Sequence, residues 1–290
     1  MAFSPKLCTN PICHFNQNPG GHFTKKGFFK IKRLNQSVRR FQCSYCLITL
    51  SSRSFKPDFK HKKMDLNSSL KKLLVEGCSI RSASRILNMT YKNTYNKFLW
   101  LTKQASIAKV NLKFKAEVIQ FDELETIHHT KCKPISIAVM VNENYQILSL
   151  EAAQMPAKGK LASFSVKKYG YRTDEREQIL NNSFISLTTK LITKPKLIQS
   201  DAKPSYKKYV QTFFPGVDYE VYNRSAKERH RDRLHERIQK KVFDPLFALN
   251  QRCAFLRSSI KRLTRRSWCT TKKIENLQGH LDLFLVSQYS

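Results

Sequence analysis

The chain has 290 residues, 41% hydrophobic and 11% aromatic, which is enough for two or three domains with one sizeable core and too apolar for a disordered polycation. Lys and Arg number 53 against 21 Asp and Glu, a formal net charge of +32 that calls for a polyanionic partner, above all nucleic acid. No apolar run has the length of a membrane span, and Met1-Ala-Phe-Ser-Pro-Lys6 lacks the apolar stretch of a signal peptide, so the expected location is cytoplasmic, with no membrane contact.

The charge is unevenly spread. Residues 1–63 carry 13 Lys or Arg and 1 acid, and residues 64–116 carry 10 and 2. Residues 117–222 are close to neutral at 14 and 12, before residues 223–273 return to 16 and 4. Basic flanks thus bracket a block that keeps its acids, as metal-dependent chemistry on a phosphodiester backbone requires. A balanced surface around an ordinary α/β core gives the same count.

In chain order, the first feature is a pair of cysteine knuckles, Cys8-Thr-Asn-Pro-Ile-Cys13 and Cys43-Ser-Tyr-Cys46. Eight cysteines without a secretion signal argue against a disulfide framework and for metal. The knuckles predict a zinc ribbon over residues 1–55, with Zn²⁺ held tetrahedrally by Cys8, Cys13, Cys43 and Cys46 in place of a core that so short a segment lacks. His14 is an alternative to Cys13, and His22 a weaker one. Cys78, Cys132, Cys253 and Cys269 show no pairing and read as buried small hydrophobes.

Residues 56–67, with Lys56-Pro57 and Lys60-His-Lys-Lys63, read as a basic linker. The period then turns helical. Leu70, Leu73 and Leu74 fit one helix ended near Gly77, and Ile80, Ala83, Ile86 and Leu87 fit a second. Thr90 can cap a third that carries Tyr91, Thr94, Tyr95, Phe98 and Leu99. The short Asn88-Met-Thr90 turn and small Ala83 at the crossing predict a helix-turn-helix DNA-binding domain over residues 68–110, pointing Lys92, Asn93 and Asn96 at the major groove. Any three-helix bundle shares this periodicity.

Residues 117–122, 134–142 and 145–152 read as consecutive strands. A mobile-looking stretch with Pro156, Gly159 and Gly170 follows, then a helix over 173–191, a strand over 196–200, a helix over 204–213, a strand over 217–222 and long basic helices from 226 onward. A three-strand meander followed by alternating helix and strand is the order of the RNase H-like fold, a mixed sheet with helices on both faces, here over residues 115–290. The predicted class is therefore α/β, with the ribbon and the all-α helix-turn-helix in front.

In that order the first and fourth strands are central neighbours, and each ends on an acid: Val118-Ile-Gln-Phe-Asp122 and Lys196-Leu-Ile-Gln-Ser-Asp201. Two carboxylates so placed repel unless a cation lies between them, and hard oxygen ligands select Mg²⁺ or Mn²⁺. A third ligand is expected from a later helix, where Glu228, Glu236 and Asp244 are available. His128 and His129 fit a solvated hairpin turn, and Glu123 and Glu125 fit surface or supporting acids. Trp268 with Arg262, Arg265 and Arg266 suits either DNA stacking and phosphate pairing or, for Trp268, packing on the sheet edge.

Taken together, the Cys8–Cys46 segment, the helix-turn-helix, Phe121-Asp122-Glu123, Ser200-Asp-Ala-Lys-Pro-Ser-Tyr206 and Leu256-Arg-Ser-Ser-Ile-Lys-Arg-Leu-Thr-Arg-Arg-Ser-Trp268 resemble bacterial insertion-sequence transposases of the DDE type, the insertion-sequence-one group and its relatives, over nearly the whole chain. The resemblance implies end binding by the two N-terminal domains and metal-dependent cleavage and rejoining of DNA by the third. Its partners would be inverted-repeat ends and target DNA, its assembly a homodimer or larger, and its location the bacterial nucleoid. Asp122 and Asp201 match the first two catalytic positions. The third acid of the pattern stands seven residues before a DNA-contacting basic residue; counting back from Arg257 gives Asn250, an uncharged ligand that would hold a second ion weakly. Asp244 and Glu236 are the alternatives for that role. A transposase-derived protein, catalytically weakened or domesticated, that only binds DNA is the alternative function.

Overall fold

The computed structural model describes residues 3–59, 61–222, 244–264 and 269–289. The chain divides into two compact units, Met1–Asn67 and Ser68–Ser290.

The first unit is a three-stranded antiparallel sheet of β1 (Phe23–Ile31), β2 (Gln36–Cys43) and β3 (Thr49–Ser51), preceded by the single turn α1 (His14–Gln17). Gly27, at φ +75°, lies where the β1–β2 register shifts between Lys25 and Phe28, a bulge that a side chain would strain. The buried core is Cys8, Cys13, Phe41, Cys43 and Leu50. Three of its five residues are cysteines, so apolar burial alone holds little of this fold.

The second unit begins with α2 (Leu66–Val75), α3 (Ile80–Ile86) and α4 (Tyr91–Val110). Gly77, at φ +83°, stops α2. Ser79 caps α3 by accepting from Ser82 N–H, and Thr90 caps α4 by accepting from Asn93 N–H. Thr94, Lys97, Phe98, Leu101 and Ala105 form the buried stripe of α4, which packs with Leu70, Leu74, Ile80 and Ala83. Ile86, Tyr91 and Leu99, expected within the stripes, are exposed: Ile86 and Leu99 lie off the buried arc, and Tyr91, on the Phe98 side, is the first residue of α4.

A five-stranded mixed sheet follows, in the order β6-β5-β4-β7-β8. Its strands are β4 (Val118–His128), β5 (Thr130–Asn142), β6 (Ile147–Gln154), β7 (Leu197–Asp201) and β8 (Asp218–Tyr222). β4, β5 and β6 form an antiparallel meander, whereas β7 joins β4, and β8 joins β7, in parallel. β5 is buried without a break from Ile135 to Asn142 because both of its faces are covered. Ala138 and Met140 face one core with α6 (Arg176–Lys190) and α7 (Tyr206–Phe213); Ile135, Ile137, Val139 and Val141 face the other with α8 (Phe247–Ser259) and α9 (Ile274–Ser287). Each fully buried large apolar side chain there contributes roughly 1.5–3 kcal/mol.

Several expected boundaries move. β4 continues past Asp122 to His128 because β5 pairs with it along that length, so Asp122 lies within the strand and not at its end. The stretch expected to be mobile contains a helix, α5 (Ala162–Tyr169). Much of the long basic helical region expected from residue 226 lies outside the described residues; beyond it, α8 and α9 are separate helices, with a 3₁₀ turn at Lys261–Leu263 between them. Among the four cysteines read as buried, Cys132 is buried but Cys78, Cys253 and Cys269 are only partly so. No described helix is long and apolar enough to cross a membrane.

Helix α9 ties α4 to the sheet. A Cβ on Gly279 would lie 2.5 Å from Thr102 Cγ2, so this approach to α4 needs glycine. Lys109 on α4 pairs with Glu151 on β6 at 2.9 Å and with Asp282 on α9 at 2.7 Å; burial disfavours the ammonium, but the two carboxylates outweigh it and its pKa is raised. His280 is 7% exposed, with its ring 4.5 Å from that of Phe98, and burial, helped by the charge of Arg262, pushes its pKa down to about 3. A folded pKa below the unfolded value of about 6.5 stabilises the fold above that pH, and the stabilisation is lost as pH falls toward the folded value. Melts followed from pH 6.5 to pH 4 should therefore lose stability at up to about 1.4 kcal/mol per pH unit through this one group. His280→Gln should flatten that slope by one proton, and an unchanged slope would remove His280 from the account.

Candidate functional site

The parallel β4–β7 ladder runs from Val118↔Leu197 to Phe121↔Ser200, so Asp122 and Asp201 occupy the next position on each strand. Paired strands lie about 4.8 Å apart, which makes the two carboxylates close neighbours. Two residues earlier on each strand stands a buried glutamine. Gln120 Nε2 donates to Gln199 Oε1 at 2.8 Å and to Pro245 O at 2.8 Å, and Gln120 Oε1 accepts from Leu249 N–H at 3.0 Å. Gln199 Nε2 in turn donates to Glu220 Oε2 at 2.9 Å and to the Tyr222 hydroxyl at 3.2 Å. This amide row fastens the first turn of α8 to the sheet beneath the acids.

Gln120→Ala should cost about 1–3 kcal/mol by leaving Leu249 N–H and the Gln199 amide without their partner. Hydrogen exchange at the Leu249 amide should accelerate with it. Unchanged protection there would show that α8 is held by apolar packing alone.

Asp122 Oδ1 accepts from Glu123 N–H at 2.6 Å and from the Tyr206 hydroxyl at 3.1 Å. Burial, and next the charge of Asp201, push its pKa up to about 6. Burial likewise raises Asp201, whose Oδ1 is buried without a hydrogen-bond partner. Tyr206 is fully buried, and burial with the Asp122 charge holds its phenol far above the ordinary value, so it remains a donor.

Glu123 reads from the sequence as a surface or a supporting acid, and the structure buries its side chain. Its side chain is 9% exposed, one oxygen pairs with Lys203, and Oε1 is buried without a partner. Its negative charge raises both Asp122 and Asp201. It is not a surface acid. Glu125, by contrast, is exposed and pairs with Lys158 at 2.6 Å. Asp122, Glu123 and Asp201 thus lie within electrostatic range of one another, and two of their oxygens, Glu123 Oε1 and Asp201 Oδ1, are buried without a donor. Carboxylate oxygens of this kind are hard donors that could hold a divalent cation.

Asn250 is exposed on α8, and its Nδ2 donates to Asp244 Oδ2 at 2.8 Å. Asp244 also accepts from Leu246 N–H at 3.1 Å, so this carboxylate serves the start of the helix. Seven residues on, Arg257 lies about 20° from Asn250 around the helix, on the same face. Between them, burial and then the Asp122 charge push the Cys253 thiol up to about 12, while Arg257 pulls it down; this face of α8 therefore lies within range of Asp122. Glu228 and Glu236, the other acids considered for the third position, lie outside the described residues.

The four knuckle cysteines converge. Their sulfurs all lie within 4.8 Å of one another, with Cys8 and Cys46 at 3.5 Å and Cys13 and Cys43 at 3.8 Å. Zn–S bonds of about 2.3 Å in a tetrahedron separate sulfurs by about 3.8 Å, so the cluster could form a zinc site. The Ile48 N–H lowers the Cys46 pKa to about 6, toward the thiolate that a metal requires. His14 is not in the cluster; its ring packs 5.4 Å from Phe15 and 6.0 Å from Tyr45.

Lys92, Asn93 and Asn96 are exposed on the first turns of α4. Arg262, expected against a phosphate, is instead turned inward: burial lowers its pKa, its Nε is buried without a partner, and it donates to Thr270 O at 3.4 Å. Arg265, Arg266 and Trp268 lie outside the described residues. His128 ends β4 with Nε2 2.6 Å from Lys272 O, and His129 takes the turn at φ +53°.

No family model matches the chain, and no curated protein matches it. Among solved structures, the cryo-EM structure of the simian T-cell lymphotropic virus intasome in complex with PP2A regulatory subunit B56 gamma aligns over 74% of this chain and 72% of its own at 12% identity. Its TM-score is 0.22, too low for the likeness to carry an argument.

Proposed function

We propose that this protein is a DNA transposase: it binds the inverted-repeat ends of an insertion sequence, cuts them in a metal-dependent step and joins them to target DNA. The reading rests on one observation, the adjacency of Asp122 and Asp201 on parallel central strands with Glu123 beside them and buried oxygens that no donor satisfies. A meander followed by two parallel strands, with helices over both faces, is the RNase H-like arrangement, which supports it further.

Asp122 and Asp201 would hold the ions, with Asn250 offering a carbonyl oxygen and Glu123 the third negative charge that Asn250 lacks. The ions, when bound, would activate water or a 3′-hydroxyl and stabilise the leaving oxygen at phosphorus. Tyr206 orients Asp122 through its hydroxyl, and the Gln120–Gln199 row sets the height of α8 above the sheet. Arg257, on the Asn250 face, would contact a DNA phosphate. In the N-terminal part, a zinc ribbon over residues 1–55 and, beyond a linker, a helix-turn-helix over 68–110 would recognise the ends, with Lys92, Asn93 and Asn96 toward the groove. Pairing two ends requires at least a dimer.

The test uses purified protein, Mn²⁺ and DNA carrying the repeats that flank the gene. Nicking that frees a 3′-hydroxyl, followed by joining, is the expected result. Tight binding of those ends with neither nicking nor joining would replace this reading with that of a transposase-derived DNA-binding protein.

A further inference from the structure

Helix α5 is built inside out. Its one buried residue is a serine, Ser165, whose hydroxyl donates to Cys132 O at 2.6 Å, while Phe164 and Val166 are 51% and 52% exposed. Just outside the helix, Leu161 and Tyr171 are 40% and 81% exposed. Scattered exposed apolar residues need no explanation, but four within eleven positions, on a helix that turns its serine inward, leave exposed apolar side chains on both flanks of the helix among the described residues.

The same segment is strongly cationic. Residues 155–173 contain Lys158, Lys160, Lys167, Lys168 and Arg172 and no acid. Lys168 Nζ lies 5.7 Å from the Phe164 ring centre and 5.5 Å from that of Tyr169, and Lys133 Nζ lies 4.2 Å over Tyr169. The segment meets β4 about 10 Å along the strand from Asp122. Lys158 pairs with Glu125, three residues beyond Asp122 on β4, and Arg172 donates to Met155 O at 3.3 Å. A cleft of about 310 Å³ lined by Glu125, Lys131, Pro134, Met155 and Lys158 opens between the β4–β5 hairpin and the start of the segment.

We propose that the α5 segment is a binding site for an unpaired DNA strand, stacking bases on Phe164 and Tyr171 while Lys158, Lys160, Lys167 and Lys168 pair with the phosphates. The proposal rests on the reading of Asp122 and Asp201 as the cutting site only in explaining why an opened strand would be there. Duplex DNA hides its base faces, so exposed rings interleaved with lysines fit a single strand. A second copy of the chain is disfavoured as occupant, because it would bring five cations against five.

The experiment is photo-crosslinking of the full-length protein to a 12-nucleotide oligothymidine containing 5-iodouridine, with no added divalent cation, paired with binding titrations of the same strand and of a duplex of equal length. Crosslinks are expected within residues 161–171. The exposed double variant Phe164→Ala, Tyr171→Ala should weaken single-strand binding about tenfold or more while changing duplex binding less than about twofold. Crosslinks confined to other segments, equal losses on both DNAs, or a variant whose only effect is on self-association would each overturn the proposal. Asp122→Asn should retain the crosslinks, so failure of the cutting reading is told apart from failure of this one.

Discussion

Asp122→Asn should lower Mn²⁺-dependent strand cleavage on the order of 10³-fold or more and, in the absence of metal, raise the melting temperature. Both effects have one cause. Asp122 is largely buried beside Asp201 and Glu123, and burial together with the Asp201 charge already pushes its pKa up to about 6. Without a cation these like charges destabilise the fold, which a preference for the neutral acid expresses. Asparagine keeps an oxygen for Glu123 N–H and the Tyr206 hydroxyl and removes the charge. Relief of about 1 kcal/mol would raise the melting temperature by roughly 2–4 °C in a unit of this size. The two readouts together mark a functional acid, since residues placed for function are often replaced with a gain in stability. Loss of activity with an equal loss of stability would make Asp122 a structural residue.

Cys43→Ser with Cys46→Ser should unfold the N-terminal sheet and release one zinc per chain. Among the described residues, the core cluster there has Leu50 and Phe41 as its only non-cysteine buried members, with Val38 buried beside it in β2. Zinc binding at such sites contributes about 10–16 kcal/mol, more than these few buried apolar side chains supply. Hydrogen exchange of the β1–β2 amides, set beside zinc content by atomic absorption, checks this. A variant with no zinc and fully protected β1–β2 amides would mean that the sheet stands without metal.

How much of this was legible from the residues depended on where each partner stood in the chain. Asp122 and Asp201 each follow an apolar run, and strand order alone makes those runs neighbours. The knuckles announced themselves by spacing, because a metal site draws on local hairpins. Thr90 was legible as a cap for the same local reason.

Glu123 was legible only as one of two possibilities, a surface or a supporting acid, since Lys203, the ion paired with it, stands 80 residues away and Glu125, two residues on, shares its face of β4. Gln120 and Gln199 carried a signal in retrospect: an amide two residues before each acid, inside otherwise apolar runs. Arg262 looked like a phosphate ligand by composition, but its guanidinium is buried within range of Tyr91 and Tyr95 on α4 and His280 on α9, residues far from it in the chain or on another element. Helix α5 was missed because a helix with serine inside and phenylalanine outside has no amphipathic signature toward its own core.

The central claim is that Asp122 and Asp201 hold divalent cations, and Mn²⁺ titration followed by electron paramagnetic resonance tests it most directly. Mn²⁺ should bind the zinc-loaded protein, weaken at least about tenfold in Asp122→Asn and in Asp201→Asn, and weaken by a smaller factor in Glu123→Gln. Mn²⁺ affinity and stoichiometry unchanged in both aspartate variants would contradict the account.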